Sequence, residues 1–160
     1  MGSSKTHRVV VTGIGALTPI GNNVPDFWTS MINGASGAAA ITKFDTTKFK
    51  TRFACEVKDF DATTYLDRKE ARKIDRFSQF ALIASDEAVK DAGITRDNVN
   101  PDRVGVIFGS GIGGLITFQE EVINFASGDG TPRFNPFFIP KMILDIAAGH
   151  ISMRHGFRGP

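Results

Sequence analysis

Three sets of residues in this chain are of types that could do chemistry: a glycine loop, a run of cations, and one cysteine with three histidines. The loop, Gly109-Ser110-Gly111-Ile112-Gly113-Gly114, follows the β-branched run Val104 to Phe108 and leads into an apolar, helix-like segment. Its Gly109-x-Gly111-x-x-Gly114 spacing is that of a dinucleotide fingerprint. Such a site also requires an acidic residue ending the next strand, about 20 residues on, within a compact βαβ unit. Here a helical segment follows, then Asp129 in a loop, then another helical segment. The second glycine loop, Gly13-Ile14-Gly15, leads to Pro19 and Gly21, and neither loop continues into Gly-Lys-Ser/Thr. Phosphate binding is therefore disfavoured. The alternative is steric: glycine supplies positive φ and close backbone approach, leaving a narrow apolar cavity lined by Ile112, Leu115 and phenylalanines.

The cations lie in Arg68-Lys69-Glu70-Ala71-Arg72-Lys73-Ile74-Asp75-Arg76-Phe77. On a helix, Lys69, Arg72, Lys73 and Arg76 fall at i, i+3, i+4 and i+7 and share one face. A charge run is ordinarily a solvated face, but unpaired cations along one stripe also attract an acidic partner and speed its docking. Phosphate groups or an acidic protein both fit. Nucleic acid fits poorly, because no aromatic or glycine-rich interleaving accompanies the stripe. Cys55 sits beside Glu56 in an alternating segment, without the helix N-terminus or cationic neighbour that activates a thiol, and reads as a core residue. His150 and His155, five apart, suit neither an i, i+4 metal pair nor a triad. No carboxylate pair has an acid/base spacing. These residues contain no catalytic constellation and no metal site.

The elements that must position them follow from periodicity. Arg8 to Gly13 and Val104 to Phe108 are short continuous β-branched runs, as in strands buried on both faces of a parallel sheet. Phe53, Cys55 and Val57 alternate with Ala54, Glu56 and Lys58, which predicts a half-exposed strand. Pro25 opens a short helix through Ile32, stopped by Gly34. The clearest helix is Asp75 to Ala92, with Phe77, Phe80, Ala81, Ala84, Ala88 and Ala92 on one stripe, Asp86 and Lys90 as an exposed i, i+4 pair, and Gly93 as its C-cap. Its small alanines imply close approach of another element. Further helices are expected over Gly114 to Phe125 and Pro140 to Met153. Strands alternating with helices give an α/β fold with a mostly parallel sheet.

Composition sets the class. The chain has 160 residues, 41% hydrophobic and 22% charged, with a formal net charge of +2, as expected of an ordinary globular domain. Nothing approaches a membrane span of about 18 consecutive apolar residues. The start, Met1 to Thr6, matches a loose myristoylation pattern and reads more simply as a leader or tail. One cysteine excludes a disulfide framework within the chain and a cysteine-rich metal site. A net charge this small does not by itself imply nucleic acid. The ending His155-Gly156-Phe157-Arg158-Gly159-Pro160 leads toward a further element, so a fragment of a longer fold is expected.

Several motifs, in order, are familiar together: RVVVTGIGALTPIGN, FDTTKF with VKDF, RKEARKIDRFSQFAL, IFGSGIGGL, NPFFIPKMI and AGHISMRHGFRGP. They resemble the N-terminal part of the bacterial β-ketoacyl-acyl-carrier-protein synthases that elongate fatty acids. The resemblance spans essentially everything after the leader, so residues 1–6 are set apart and 7–160 taken as one truncated domain. It implies the thiolase fold, two similar α/β halves layered αβαβα, in a cytoplasmic homodimer.

The activity implied is condensation of an acyl thioester with malonyl-acyl carrier protein through a covalent cysteine intermediate, with two histidines and no cofactor. In the family that cysteine follows Gly-Pro by a short strand, and the histidines lie further on. All three would therefore fall beyond Pro160, and this polypeptide alone is expected to be inactive. Ile112 matches the family's gating position at the mouth of the acyl pocket, and Phe138 and Ile139 match positions lining it near the dimer interface. Carrier-protein contacts map onto Lys69, Arg72 and Lys73, in agreement with the basic stripe. The alternatives are a non-catalytic partner subunit of the chain-length-setting kind and a carrier-protein-binding fragment.

Overall fold

The computed structural model describes residues 7–160; the leader and myristoylation readings fall on residues 1–6 and lie outside it. Helix α1 (Val24–Ile32) is capped by the Asn23 side chain, which accepts from Asp26 N–H, and carries a proline in its first turn. Strands β1 (Ala39–Ala40) and β2 (Phe53–Ala54) pair antiparallel, Ala39 opposite Ala54. Then come α2 (Arg68–Lys73), α3 (Arg76–Asp91), α4 (Leu115–Ala126), α5 (Phe138–Met142) and α6 (Ile146–His155).

Helix α3 is the axis of the molecule. Asp75 caps its start by accepting from Phe77 N–H, and Gly93, at φ +63°, follows its last turn, the left-handed conformation for which glycine carries no Cβ penalty. Its face of Ala81, Leu82 and Ile83 packs with Ala147 and Ile151 of α6 and with Leu66, Ala71 and Ile74. Its alanine side receives the first glycine loop. A Cβ on Gly13 would lie 2.3 Å from the Ala88 carbonyl oxygen, and one on Gly15 only 1.8 Å from that of Ala84. Carboxylates of the same helix then satisfy the loop: Asp91 accepts from Ile14 N–H at 2.9 Å, and Glu87 from Ala16 at 2.9 Å and Val24 at 2.8 Å. Gly15→Ala should therefore push the loop off α3 and cost roughly 1–3 kcal/mol, as overpacking does. Denaturant unfolding of the intact protein measures this, and an unchanged midpoint would contradict the packing.

The structure corrects four expectations. The basic run is not one helix: α2 ends at Ile74, whose backbone is extended (φ −117°, ψ 148°) so that its side chain enters the core, and α3 restarts at Asp75. Pro140 to Met153 is likewise two helices, separated by extended Ile143 (φ −68°, ψ 143°). Cys55 is exposed, because strand β2 ends at Ala54 and nothing packs over the thiol. Asp86 pairs not with Lys90 but with Arg154 of α6, at 2.9 Å.

The fold is α/β in class, yet among the described residues its only sheet is the two-stranded β1–β2 ladder. The runs Arg8–Gly13 and Val104–Phe108 carry no ladder, and their apolar side chains face outward, with Val9 89% and Ile107 100% exposed. A strand needs neighbours to be hydrogen-bonded and covered. One bond begins such pairing: Gly159 N–H donates to the Val104 carbonyl at 3.0 Å.

Candidate functional site: an apolar groove beside a basic helix

The GSGIGG loop is built against the backbone of α5. Gly113 has φ +80°, and a Cβ there would stand 2.5 Å from the Met142 carbonyl oxygen; one on Gly114 would stand 2.6 Å from that of Lys141. Gly113 N–H donates to Ser110 Oγ at 3.2 Å, Gly114 N–H to Met142 O at 3.1 Å, and Leu115 N–H to Gly113 O at 3.0 Å. The donors a phosphate would need at this helix N-terminus are thus already engaged. The glycines let two backbones meet.

That meeting places Ile112 at the rim of an apolar groove of about 620 Å³, formed with Leu115 and Phe118 of α4 and with Met142, Ile143 and Leu144 after α5. Ile112 itself is 64% exposed. Phe138 stands behind the groove, its ring stacked on Phe118 at 6.1 Å and on Phe134 at 5.9 Å between centroids. Ile139, beside it on α5, is exposed and is not among the groove-lining residues.

On the neighbouring surface, α2 is held rigidly for its length. Asp67 caps its start, accepting from Lys69 and Glu70 N–H. Gln79 Nε2 donates to the Ala71 and Ile74 carbonyls at its end, at 2.9 and 3.4 Å. Ala71 and Ile74 are buried, so Lys69, Arg72 and Lys73 stand in solvent, in no ion pair among the described residues. Arg76 has left the stripe: its guanidinium lies over the Phe60 and Phe80 rings, 5.0 and 5.3 Å from their centroids, a cation–π arrangement. Glu70 turns away from the stripe to Arg154, 3.1 Å distant. Lys73 connects the two halves of the site, its Nζ 5.7 Å from the centre of the Phe137 ring.

Comparison with known proteins fits this geometry. The family model for the β-ketoacyl synthase N-terminal domain matches residues 6–160. The chain belongs to the β-ketoacyl synthase family. A 3-oxoacyl-[acyl-carrier-protein] synthase 2 of Synechocystis sp. is 44% identical over 160 residues, which is all of this chain and 38% of that protein. A synthase of the same name from Vibrio harveyi is 46% identical over 154 residues, 96% of this chain and 37% of that protein. The chain thus spans under two-fifths of the curated relatives it matches. Among solved structures, the ishigamide ketosynthase/chain length factor superposes with a TM-score of 0.80 at 28% identity, covering 94% of this chain and 37% of that one. A type II PKS acyl-carrier protein in complex with its ketosynthase bound to the hexaketide gives 0.75 at 27%, covering 94% and 40%.

The other titratable candidates of this ketoacyl synthase chain are structural. Cys55 has no activating neighbour, and the described residues hold no cluster suited to a metal ion. His155 Nε2 lies 3.2 Å from Asp86 Oδ1, in the network that ties α6 to α3 and α2 through Arg154. Burial holds both His155 and His150 below the usual 6.5, opposed by Asp86 and Glu70 respectively. The unfolded ketoacyl synthase chain therefore takes up these protons more readily than the folded one. Stability present above about pH 6.5 should be lost as the pH falls through that value and toward the lower folded-state values. Melting temperatures at about pH 7.5 and pH 5.5 test this: the drop should shrink in a His150→Gln/His155→Gln variant, and an equal drop would refute it.

Proposed function

We propose that this chain is the N-terminal part of a 3-oxoacyl-[acyl-carrier-protein] synthase that elongates fatty acids. The observation that carries the reading is the pairing of an apolar groove, of a size for an alkyl chain, with an uncompensated basic helix, in a chain whose whole length matches enzymes of that name. Residues 7–160 form one thiolase-like domain of the layered αβαβα kind, in which Arg8–Gly13 and Val104–Phe108 take their places in a mostly parallel sheet. The intact enzyme is a cytoplasmic homodimer; no helix among the described residues is long and apolar enough to cross a membrane.

In this reading Lys69, Arg72 and Lys73 receive the acidic acyl carrier protein, and Ile112, Phe138 and Ile139 shape the acyl pocket. An acyl group passes from the carrier's thiol to an enzyme cysteine, releasing the carrier. Malonyl carrier protein then loses carbon dioxide. The carbanion so formed attacks the acyl thioester, forming the new carbon–carbon bond and expelling the cysteine thiolate. That cysteine and its two histidines are assigned to sequence following Pro160, since Cys55, His150 and His155 match none of them. The direct test supplies the intact enzyme with acyl and malonyl carrier proteins. A 3-ketoacyl product two carbons longer, with one carbon dioxide released, is the expected result. Its absence, with carrier binding retained, would favour the non-catalytic partner subunit.

A further inference from the structure

Asp75 joins two elements far apart in sequence. One carboxylate oxygen caps α3 by accepting from Phe77 N–H at 3.2 Å, and the other accepts the hydroxyl proton of Thr117 in the first turn of α4. Gly114 is packed beneath this junction, close enough that a Cβ would stand 3.0 Å from the second oxygen. Helix α4 has no side-chain cap of its own. The Thr117 hydroxyl is thus a lateral tie on the helix start that carries Ile112, anchored to the helix that carries the core. Asp75 is only partly exposed, and its local partners are N–H and O–H donors rather than cations.

We propose that Thr117, through Asp75, is a positioning residue: it fixes the Gly113–Leu115 turn and with it the reach of Ile112 over the groove, and so sets which acyl chains are accepted. The selectivity part rests on the synthase reading above; the anchoring part does not. A hydroxyl lost from this junction leaves the carboxylate oxygen without its partner and frees the turn to move. Valine at 117 keeps the branched shape without the hydroxyl, and serine keeps the hydroxyl.

The experiment uses the intact enzyme as wild type, Thr117→Val and Thr117→Ser. Hydrogen exchange should show the Gly114 amide, bonded to Met142 O, opening about tenfold faster in Thr117→Val and at the wild-type rate in Thr117→Ser. The ratio of kcat/KM for long over short acyl carrier substrates should rise roughly fivefold in Thr117→Val, the size expected of one lost hydrogen bond, and return in Thr117→Ser. Carrier-protein Kd should stay unchanged throughout. An unchanged exchange rate and ratio, a valine effect that serine does not reverse, or an equal loss of carrier affinity would each overturn the proposal. Should the valine variant not fold, Thr117→Ala supports the same comparison. A wild-type enzyme inert toward every acyl thioester would overturn the synthase reading and the selectivity together, while exchange still decides the anchoring.

Discussion

Replacing Lys69, Arg72 and Lys73 together by glutamate is expected to weaken capture of an acidic carrier protein by about 100-fold at low ionic strength. Each of these side chains stands in solvent on a helix whose ends are held by Asp67 and Gln79. Reversal therefore changes the charge without changing the scaffold. An exposed ion pair contributes up to about 1 kcal/mol, and three reversals, at about 1 kcal/mol each, amount to about 3 kcal/mol, or about two decades in Kd. The effect should shrink steadily as salt rises, because exposed charges are screened over about 10 Å at 0.1 M. Titration of the intact enzyme with carrier protein across a salt series is the measurement. An affinity equal to wild type at low salt would remove α2 from the interface.

The second large effect is expected at the groove. Ile112→Phe adds an aromatic ring at a rim that already holds Leu115, Phe118 and Met142. Gly113 and Gly114 are fixed against Met142 and Lys141, so the backbone cannot withdraw to make room. A chain long enough to pass beneath the ring then meets an overpacking cost of about 1–3 kcal/mol, while a short chain that stops before it meets none. Long-chain kcat/KM should fall roughly 10- to 100-fold, with short-chain values nearly unchanged. A chain-length profile identical to wild type would place Ile112 outside the pocket.

Local sequence carried the helices well where their caps and stripes agree. Asp75 and Gly93 bound α3 as the periodicity predicts, and its alanines do mark a close approach, by Gly13 and Gly15. The break at Ile74 was concealed because Lys-Ile-Asp-Arg continues a helical period; Asp75, a good N-cap, was the signal that the stripe could not run on to Arg76. Cys55 looked like core because alternation was extended beyond a strand that is only two residues long. Ile112 was found through glycine spacing and family resemblance. The Asp75–Thr117 bond spans 42 positions, a juxtaposition that no local pattern records.

The turn of Glu70 toward Arg154 has a consequence for how a partner arrives. Six-residue α2 carries an acid in the middle of its cations, and left beside them it would neutralise part of their field. Drawn to the α6 side, it separates positive from negative across the helix. The chain as a whole is close to neutral, at +2, so its long-range pull on an anion is weak. What remains is a dipole moment, and a dipole exerts torque. An approaching acidic protein would be rotated into alignment with the basic side before touching it, so that the gain lies in the fraction of collisions that are productive rather than in their number.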